Sequence, residues 1–261
     1  MRRQFLLASL GAITLTGSAF AADLTPPPPP VPIFTWTGVY LGGQVGYAWG
    51  TGDNNLTVLD PATGVAIVSS VAGAPNGVIG GANVGYNLQI NQWVLGLEGT
   101  VDGTSLSNSA TAVLPGFFGK GTVSAYTTSD IQGSIRGRVG FAWDRLLIYG
   151  TGGVAFGGFK TVLNFSGTAT PGGPFVTNGN FSSTRVGWTA GGGIQYAITN
   201  NWSVRAEYRY TDFGSVREEL FGLPSAAFFN ANRQIRQNQV QVGFDYKFDL
   251  LPPPAPVVAK Y

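Results

Sequence analysis

Eight stretches of the chain alternate apolar and polar positions with a period of two, the pattern of half-buried β-strands rather than of helices. They cover 39–49, 78–89, 93–102, 131–143, 146–156, 185–197, 202–214 and 239–248. In WSVRAEYRYTDFG (202–214), Trp202, Val204, Ala206, Tyr208 and Tyr210 share one face, and Ser203, Arg205, Glu207, Arg209 and Thr211 share the other. In VYLGGQVGYAW (39–49), Val39, Leu41, Val45, Tyr47 and Trp49 oppose Tyr40, Gly42, Gln44, Gly46 and Ala48. The 146–156 stretch, LLIYGTGGVAF, is apolar on both faces, which leaves its parity open. Across the set the apolar face carries no charge short of Asp212, which follows Tyr210 on that parity near the end of the 202–214 stretch. The opposite face carries Glu98, Asp102, Arg136, Arg138, Arg185, Arg205, Glu207, Arg209, Asp245 and Lys247.

The connections alternate as well. Strands two and three, four and five, and six and seven are joined by turns of two to four residues, whereas the other links exceed 20 residues and are rich in Gly, Ser, Thr, Asn and Pro. Short turns at one end and long loops at the other predict an all-β fold, an eight-stranded antiparallel up-and-down transmembrane barrel with short periplasmic turns and long extracellular loops. Alternation alone would also suit a soluble sandwich turned the other way round. The tryptophans separate the two: Trp36, Trp93, Trp143 and Trp202 all fall at the short-turn end, as an aromatic girdle at a bilayer interface requires. The apolar face is then expected to meet lipid.

With that orientation, Glu98, Arg138 and Glu207 each lie five residues from a girdle Trp. At about 3.3 Å per residue and a tilt near 40°, this puts them in one layer, midway up an apolar band of about 25 Å. An eight-stranded barrel is narrow enough to be filled by side chains. The expectation is therefore a lumen plugged by an ion-pair network of Glu98, Asp102, Arg136, Arg138, Arg205, Glu207, Arg209, Asp245 and Lys247, since an unpaired buried charge costs several kcal/mol.

Composition agrees with burial in lipid: the 261 residues are 44% hydrophobic but only 11% charged, far below the roughly 25% of soluble domains. The opening MRRQFLLASLGAITLTGSAFA reads as a secretory signal, residues 1–21, with cleavage expected after Ala21. Losing Arg2 and Arg3 with it leaves 13 basic residues against 13 acidic ones, so the mature chain is neutral and no nucleic-acid footprint exists. A Pro-rich periplasmic spacer (22–33) precedes the barrel (34–248), and a second Pro-rich tail (249–261) follows it.

Taken together, WTGVYLGGQVGYAWG, GGANVGYNLQ with WVLGLEG, IRGRVGFAWDRLLIYGTGGVAFG, VGWTAGGGIQYAITNNWSVRAEYRYTDFG and the terminal strand resemble the small outer-membrane β-barrel family of alphaproteobacteria. That group includes rhizobial and brucella major surface proteins and bartonella haemin-binding proteins, and is related to the opacity proteins and the transmembrane domain of outer-membrane protein A. The resemblance covers about 34–248. It implies a structural protein of the outer membrane of a Gram-negative bacterium, a surface antigen contributing to envelope integrity and in contact with outer-membrane lipid and lipopolysaccharide. It leaves open a porin-like channel and an adhesin or haemin-binding role through the loops. It also implies a substrate of the barrel-assembly machinery, whose signal resembles Gln241, Gly243, Tyr246 and Phe248 here, although members commonly end at the terminal Phe and this chain continues for 13 residues. Some proteins of this kind are joined to peptidoglycan through a mature N-terminal Ala before an acidic residue, which Ala22-Asp23 would match.

Catalysis is not expected. The chain has no His and no Cys, so neither an imidazole base nor a thiol is available, and no cofactor or metal is expected. A haem would have to take a Tyr as axial ligand. GTGG (150–153), GGG (191–193) and GKGT (119–122) lack the strand-to-helix context of phosphate loops. Among the loops the last is richest in recognition chemistry, with Arg217, Glu218, Glu219, Phe221, Phe228, Phe229, Arg233 and Arg236.

Overall fold

In a computed structural model the chain forms ten antiparallel strands: β1 (Gly38–Gly50), β2 (Asn54–Leu59), β3 (Ala66–Ala72), β4 (Asn76–Ile90), β5 (Trp93–Leu114), β6 (Gly121–Trp143), β7 (Leu146–Ala169), β8 (Gly173–Ala197), β9 (Trp202–Leu220) and β10 (Phe228–Phe248). The structure describes residues 34–51, 54–59, 66–72, 75–114, 121–169, 173–220 and 228–249. The expected signal, the whole Pro-rich spacer with Ala22, and the tail beyond Asp249 lie outside them.

Eight strands, β1 and β4 to β10, each pair with their neighbours, and β1 pairs with β10 from Val39↔Phe248 to Gly50↔Gln237, closing the barrel. Two-residue hairpins join β4 to β5 and β6 to β7. Their first loop residues, Asn91 and Asp144, have φ of 56° and 53°, a left-handed conformation that Asn and Asp tolerate better than other side chains. A four-residue turn joins β8 to β9, where the Thr199 hydroxyl accepts the Trp202 N–H at 2.9 Å.

The parity resolves as the alternation predicts. Leu41, Val45, Val84, Leu97, Ile135, Val154, Ile194, Tyr208 and Val242 face outward, and Asn83, Glu98, Arg136, Gln195, Arg205 and Asp245 are buried inside. In β7, Ile148, Val154 and Phe156 point out, and Leu147, Tyr149 and Ala155 point in. That strand is apolar on both faces because its inner side lines the closed ends of the lumen.

Glycines divide by face. A Cβ on inward Gly153 would run into the neighbouring strand, 2.7 Å from the Arg136 Cα. On outward Gly137 it would meet nothing nearer than 3.8 Å. The concave side of so narrow a barrel is the crowded one, and glycine there relieves the wall-to-wall contacts.

Two differences from the sequence reading concern the loops. Strands β5 to β10 run well beyond the alternating segments, and β7 and β8 stay paired without a break from Leu146↔Tyr196 to Ala169↔Gly173. Where both faces of a strand meet water, hydrophobic periodicity disappears while backbone pairing persists, so stretches such as SNSATAV (107–113) read as loop. The first long link also holds a hairpin, β2 and β3, that adds to β10 through Leu59↔Phe228 to Asn54↔Arg233.

The outward apolar belt has clear limits. Trp93, Trp143 and Trp202 line its lower edge. Asp212, whose carboxylate accepts Arg236 Nε at 3.2 Å, and the exposed pair Asp130–Lys160 (2.6 Å) mark its upper edge. Ten residues separate Trp202 from Asp212, a height of about 25 Å at the usual rise and tilt.

Candidate functional site

The lumen is built in layers. Nearest the short turns, Trp36 is buried (4% exposed) among Val94, Ala142, Leu147, Tyr149 and Ala197. Its indole Nε1 donates to the Asp144 carbonyl at 3.2 Å, and its backbone N–H donates to Gln89 Oε1 at 2.8 Å. Trp36 was expected in the girdle beside Trp93, Trp143 and Trp202, which are 58%, 77% and 46% exposed. It instead stoppers the mouth. It precedes the first strand and is free of the strand's parity, so its indole turns into the apolar ring beneath the lumen and finds a carbonyl there.

Above the stopper, four carboxylates and four guanidinium groups are buried together. Arg136 bridges two of the acids: Nη2 is hydrogen-bonded to Glu98 Oε1, and Nη1 donates to Glu207 Oε1 at 2.5 Å and to Thr151 Oγ1 at 3.1 Å. Glu98 also accepts Arg205 Nη1 at 2.6 Å and the Tyr40 hydroxyl at 2.8 Å. Glu207 accepts Arg209 Nη2 at 2.9 Å and the Tyr149 hydroxyl at 2.9 Å. Asp102 lies 3.6 Å from Arg209 Nη1 and accepts Gln44 Nε2 at 2.6 Å. Asp245 accepts Asn83 Nδ2 at 2.6 Å and Gln195 Nε2 at 2.9 Å, with Arg205 Nε 3.8 Å away.

Seven of the nine residues expected in the network thus meet in ion pairs. Arg138 makes none, and Lys247 pairs only with Asp249, outside the charged layer. Arg138 is buried but donates to Gln195 Oε1 at 2.5 Å and lies over the Tyr149 ring, 3.6 Å from its centroid. Equal counts from the girdle tryptophans mislead here, because Trp93 pairs with Phe141 rather than with Trp143. That register sets Glu98 opposite Arg136 and leaves Arg138 opposite Gly96. Lys247 sits at the periplasmic rim, where Nζ donates to the Thr35 carbonyl at 2.6 Å and lies 3.4 Å from Asp249. It is one step too close to the strand end to reach the charged layer.

The neutral members Tyr40, Gln44, Asn83, Tyr149 and Gln195 were not singled out in the sequence. All but Tyr149 sat on the polar parity and were thus legible in principle, whereas Tyr149 lay in the strand whose parity was open.

Farther up, Gln132 Nε2 donates to Gln237 Oε1 at 3.0 Å, and Gln239 Nε2 reaches Gln132 Oε1 at 3.4 Å. Two apolar clusters follow, Ala48 with Ile79 and Leu106, and Ala155 with Phe159, Phe213 and Ile235. Gln241 and Gly243 of the expected assembly signal lie on the inner face, paired with Glu207 and Arg205 across the β9–β10 ladder. Tyr246 packs edge-on against Trp202 and Phe248 outside. Among the described residues no group of three or more His, Cys, Asp or Glu is placed to hold a metal.

The sequence profile of the outer membrane protein beta-barrel domain matches residues 7–248. The 31 kDa outer-membrane immunogenic protein of Brucella melitensis biotype 1 is 35% identical over 254 residues, covering 94% of this chain and 100% of its own. The chain belongs to this outer-membrane β-barrel family. The 22 kDa outer membrane protein of Rhizobium leguminosarum bv. viciae is a further family relative, 32% identical over 84% of this chain and 82% of its own. As a member, the protein resides in the outer membrane of a Gram-negative bacterium, and the relatives are named as outer-membrane or immunogenic proteins. The Pseudomonas aeruginosa outer membrane protein OprG aligns at 12% identity and a TM-score of 0.47, over 81% of this chain and 96% of that one. The barrel itself is established by the closed strand register.

Proposed function

We propose that the protein is a structural barrel of the cell envelope whose lumen is a plug rather than a passage. The observation that carries this reading is the lumen's charge balance. Glu98, Asp102, Glu207 and Asp245 face Arg136, Arg138, Arg205 and Arg209, every carboxylate accepts at least two donors or ion-pair partners, and apolar clusters lie at both ends. Charged groups packed this way support the fold by satisfying one another in a low-dielectric interior. They present no free base to a substrate, which supports a non-catalytic role. The lipid-facing belt would contact outer-membrane lipid and lipopolysaccharide. The terminal strand with Gln241, Gly243, Tyr246 and Phe248 would be read by the barrel-assembly machinery, and Ala22 would be the point of any attachment to peptidoglycan.

Purified protein in planar bilayers is expected to show negligible conductance; large, stable, open channels would overturn the plug. A second reading, surface recognition, is favoured by one observation: β5 to β10 continue past the upper edge of the belt and raise a paired sheet into the medium.

A further inference from the structure

The closed ring of strands ends before the strands do. β8 and β9 pair from Ala197↔Ser203 only as far as Trp188↔Asp212. Beyond that point β8 continues beside β7 to Gly173, and β9 continues beside β10 to Leu220. Residues 173–187 of β8 and 213–220 of β9 therefore each have one hydrogen-bonded neighbour among the described residues. In an antiparallel ladder about half of the 173–187 backbone N–H and C=O groups point away from β7, toward the gap.

The cause is local. Opposite Phe213 and Gly214 the β10 ladder offers only Ile235, between Gln234↔Ser215 and Arg236↔Asp212. Gly214 takes φ of 80°, and its N–H donates to Asp212 Oδ1 at 2.7 Å. This two-against-one bulge with glycine in the left-handed region bends a strand and increases its twist, and it sits where β9 leaves β8. Because Asp212 marks the upper edge of the apolar belt, both free edges stand in water.

Such edges are ordinarily blunted by charge or proline. Between Pro174 and Arg185 the β8 sequence FVTNGNFSST contains neither. Arg185 stands at the foot of this edge, on the inward parity opposite Gly157. Its Nε is buried and has no hydrogen-bond partner, and among the described residues no ion pair reaches its guanidinium. The four lumen carboxylates are committed to other partners.

We propose that the β8 edge over 173–187 is a docking site for an extended polypeptide segment of another protein, added as a strand, with a carboxylate seated against Arg185. Main-chain hydrogen bonds supply affinity in strand addition and side chains set its register. An acyl chain does not fit, because the edge lies beyond the belt. A second copy pairing through the same β8 edge does not fit either, because its own 174–184 segment carries no acid to meet Arg185. The inference rests on the reading of the barrel as a rigid, closed display scaffold.

The test uses the full folded protein in nanodiscs and fluorescent peptides of about ten residues, alternating Thr and Val, with a single Asp moved through successive positions. One Asp position is expected to bind about tenfold more tightly than the neutral parent peptide. Methylating alternate backbone nitrogens along the pairing edge is expected to abolish binding, and Arg185→Gln to erase the advantage of the acidic peptide while the neutral one binds as before. Heat-shifted gel mobility verifies that the variant is folded. The site is wrong if no acidic peptide outperforms the parent, if methylated peptides bind equally well, or if Arg185→Gln leaves the preference intact. A conducting lumen would show in bilayer recordings alone, so failure of the plug and failure of the docking site are separately visible.

Discussion

Replacing Arg136 with Met removes the bridge at the centre of the lumen while keeping an unbranched side chain in its place. Arg136 is fully buried and ion-paired to both Glu98 and Glu207. Neither acid would be stranded: Glu98 keeps Arg205 and Tyr40, and Glu207 keeps Arg209 and Tyr149. The balance would nonetheless fall from four against four to three cations against four anions in a dry interior. Removing one partner of a buried pair costs about 3–5 kcal/mol, and the surviving partners put Arg136→Met near 3 kcal/mol. Adding Glu207→Gln restores the count and is expected to recover at least about 1 kcal/mol, a coupling that independent sites would not show. Urea titration in phospholipid vesicles, followed by tryptophan fluorescence and by the folded fraction on unheated gels, measures both variants. A single-variant loss below about 1 kcal/mol, or strict additivity in the double variant, would refute the view that these charges hold one another in place.

Two further outcomes separate the inner and outer faces. Trp36→Ala should destabilise the barrel by about 3–5 kcal/mol in the same titration, as expected for a large side chain removed from a packed site. In variants retaining one tryptophan each, brominated lipid should quench Trp93, Trp143 and Trp202 but not Trp36. Gly153→Ala should prevent folding or cost several kcal/mol because its Cβ would strike the β6 backbone, whereas Gly137→Ala, facing lipid with open space around it, should fold with stability within about 0.5 kcal/mol of the parent.

How much could be read in advance follows from where each residue's surroundings change. Between the girdle and Asp212 one face meets lipid and the other a polar lumen, so the period of two was visible and strand faces followed from it. Beyond the inner clusters of Phe159 with Phe213 and of Ile79 with Leu106 both faces meet water, and β5 to β10 lose their periodic signal while keeping their pairing. Within the lumen, the roles of Arg205, Glu207 and Arg209 followed from parity and burial alone. The partners of Arg138 did not, because they depend on the Trp93↔Phe141 register, a property of two strands together. Trp36 turns inward although the sequence predicts a girdle position, because composition at a strand end suits an interface and a stopper equally, and only the ring of Val94, Ala142 and Leu147 distinguishes them.

The distance between the Trp202 level and the Asp212–Arg236 pair also bears on which membrane suits this barrel. A belt of about 25 Å matches a thin bilayer, whereas a typical hydrocarbon core of about 30 Å would draw the Asp130–Lys160 and Asp212–Arg236 pairs below its surface. Hydrophobic mismatch therefore opposes residence of the folded barrel in a thicker bilayer, and the charged collar favours a thin one.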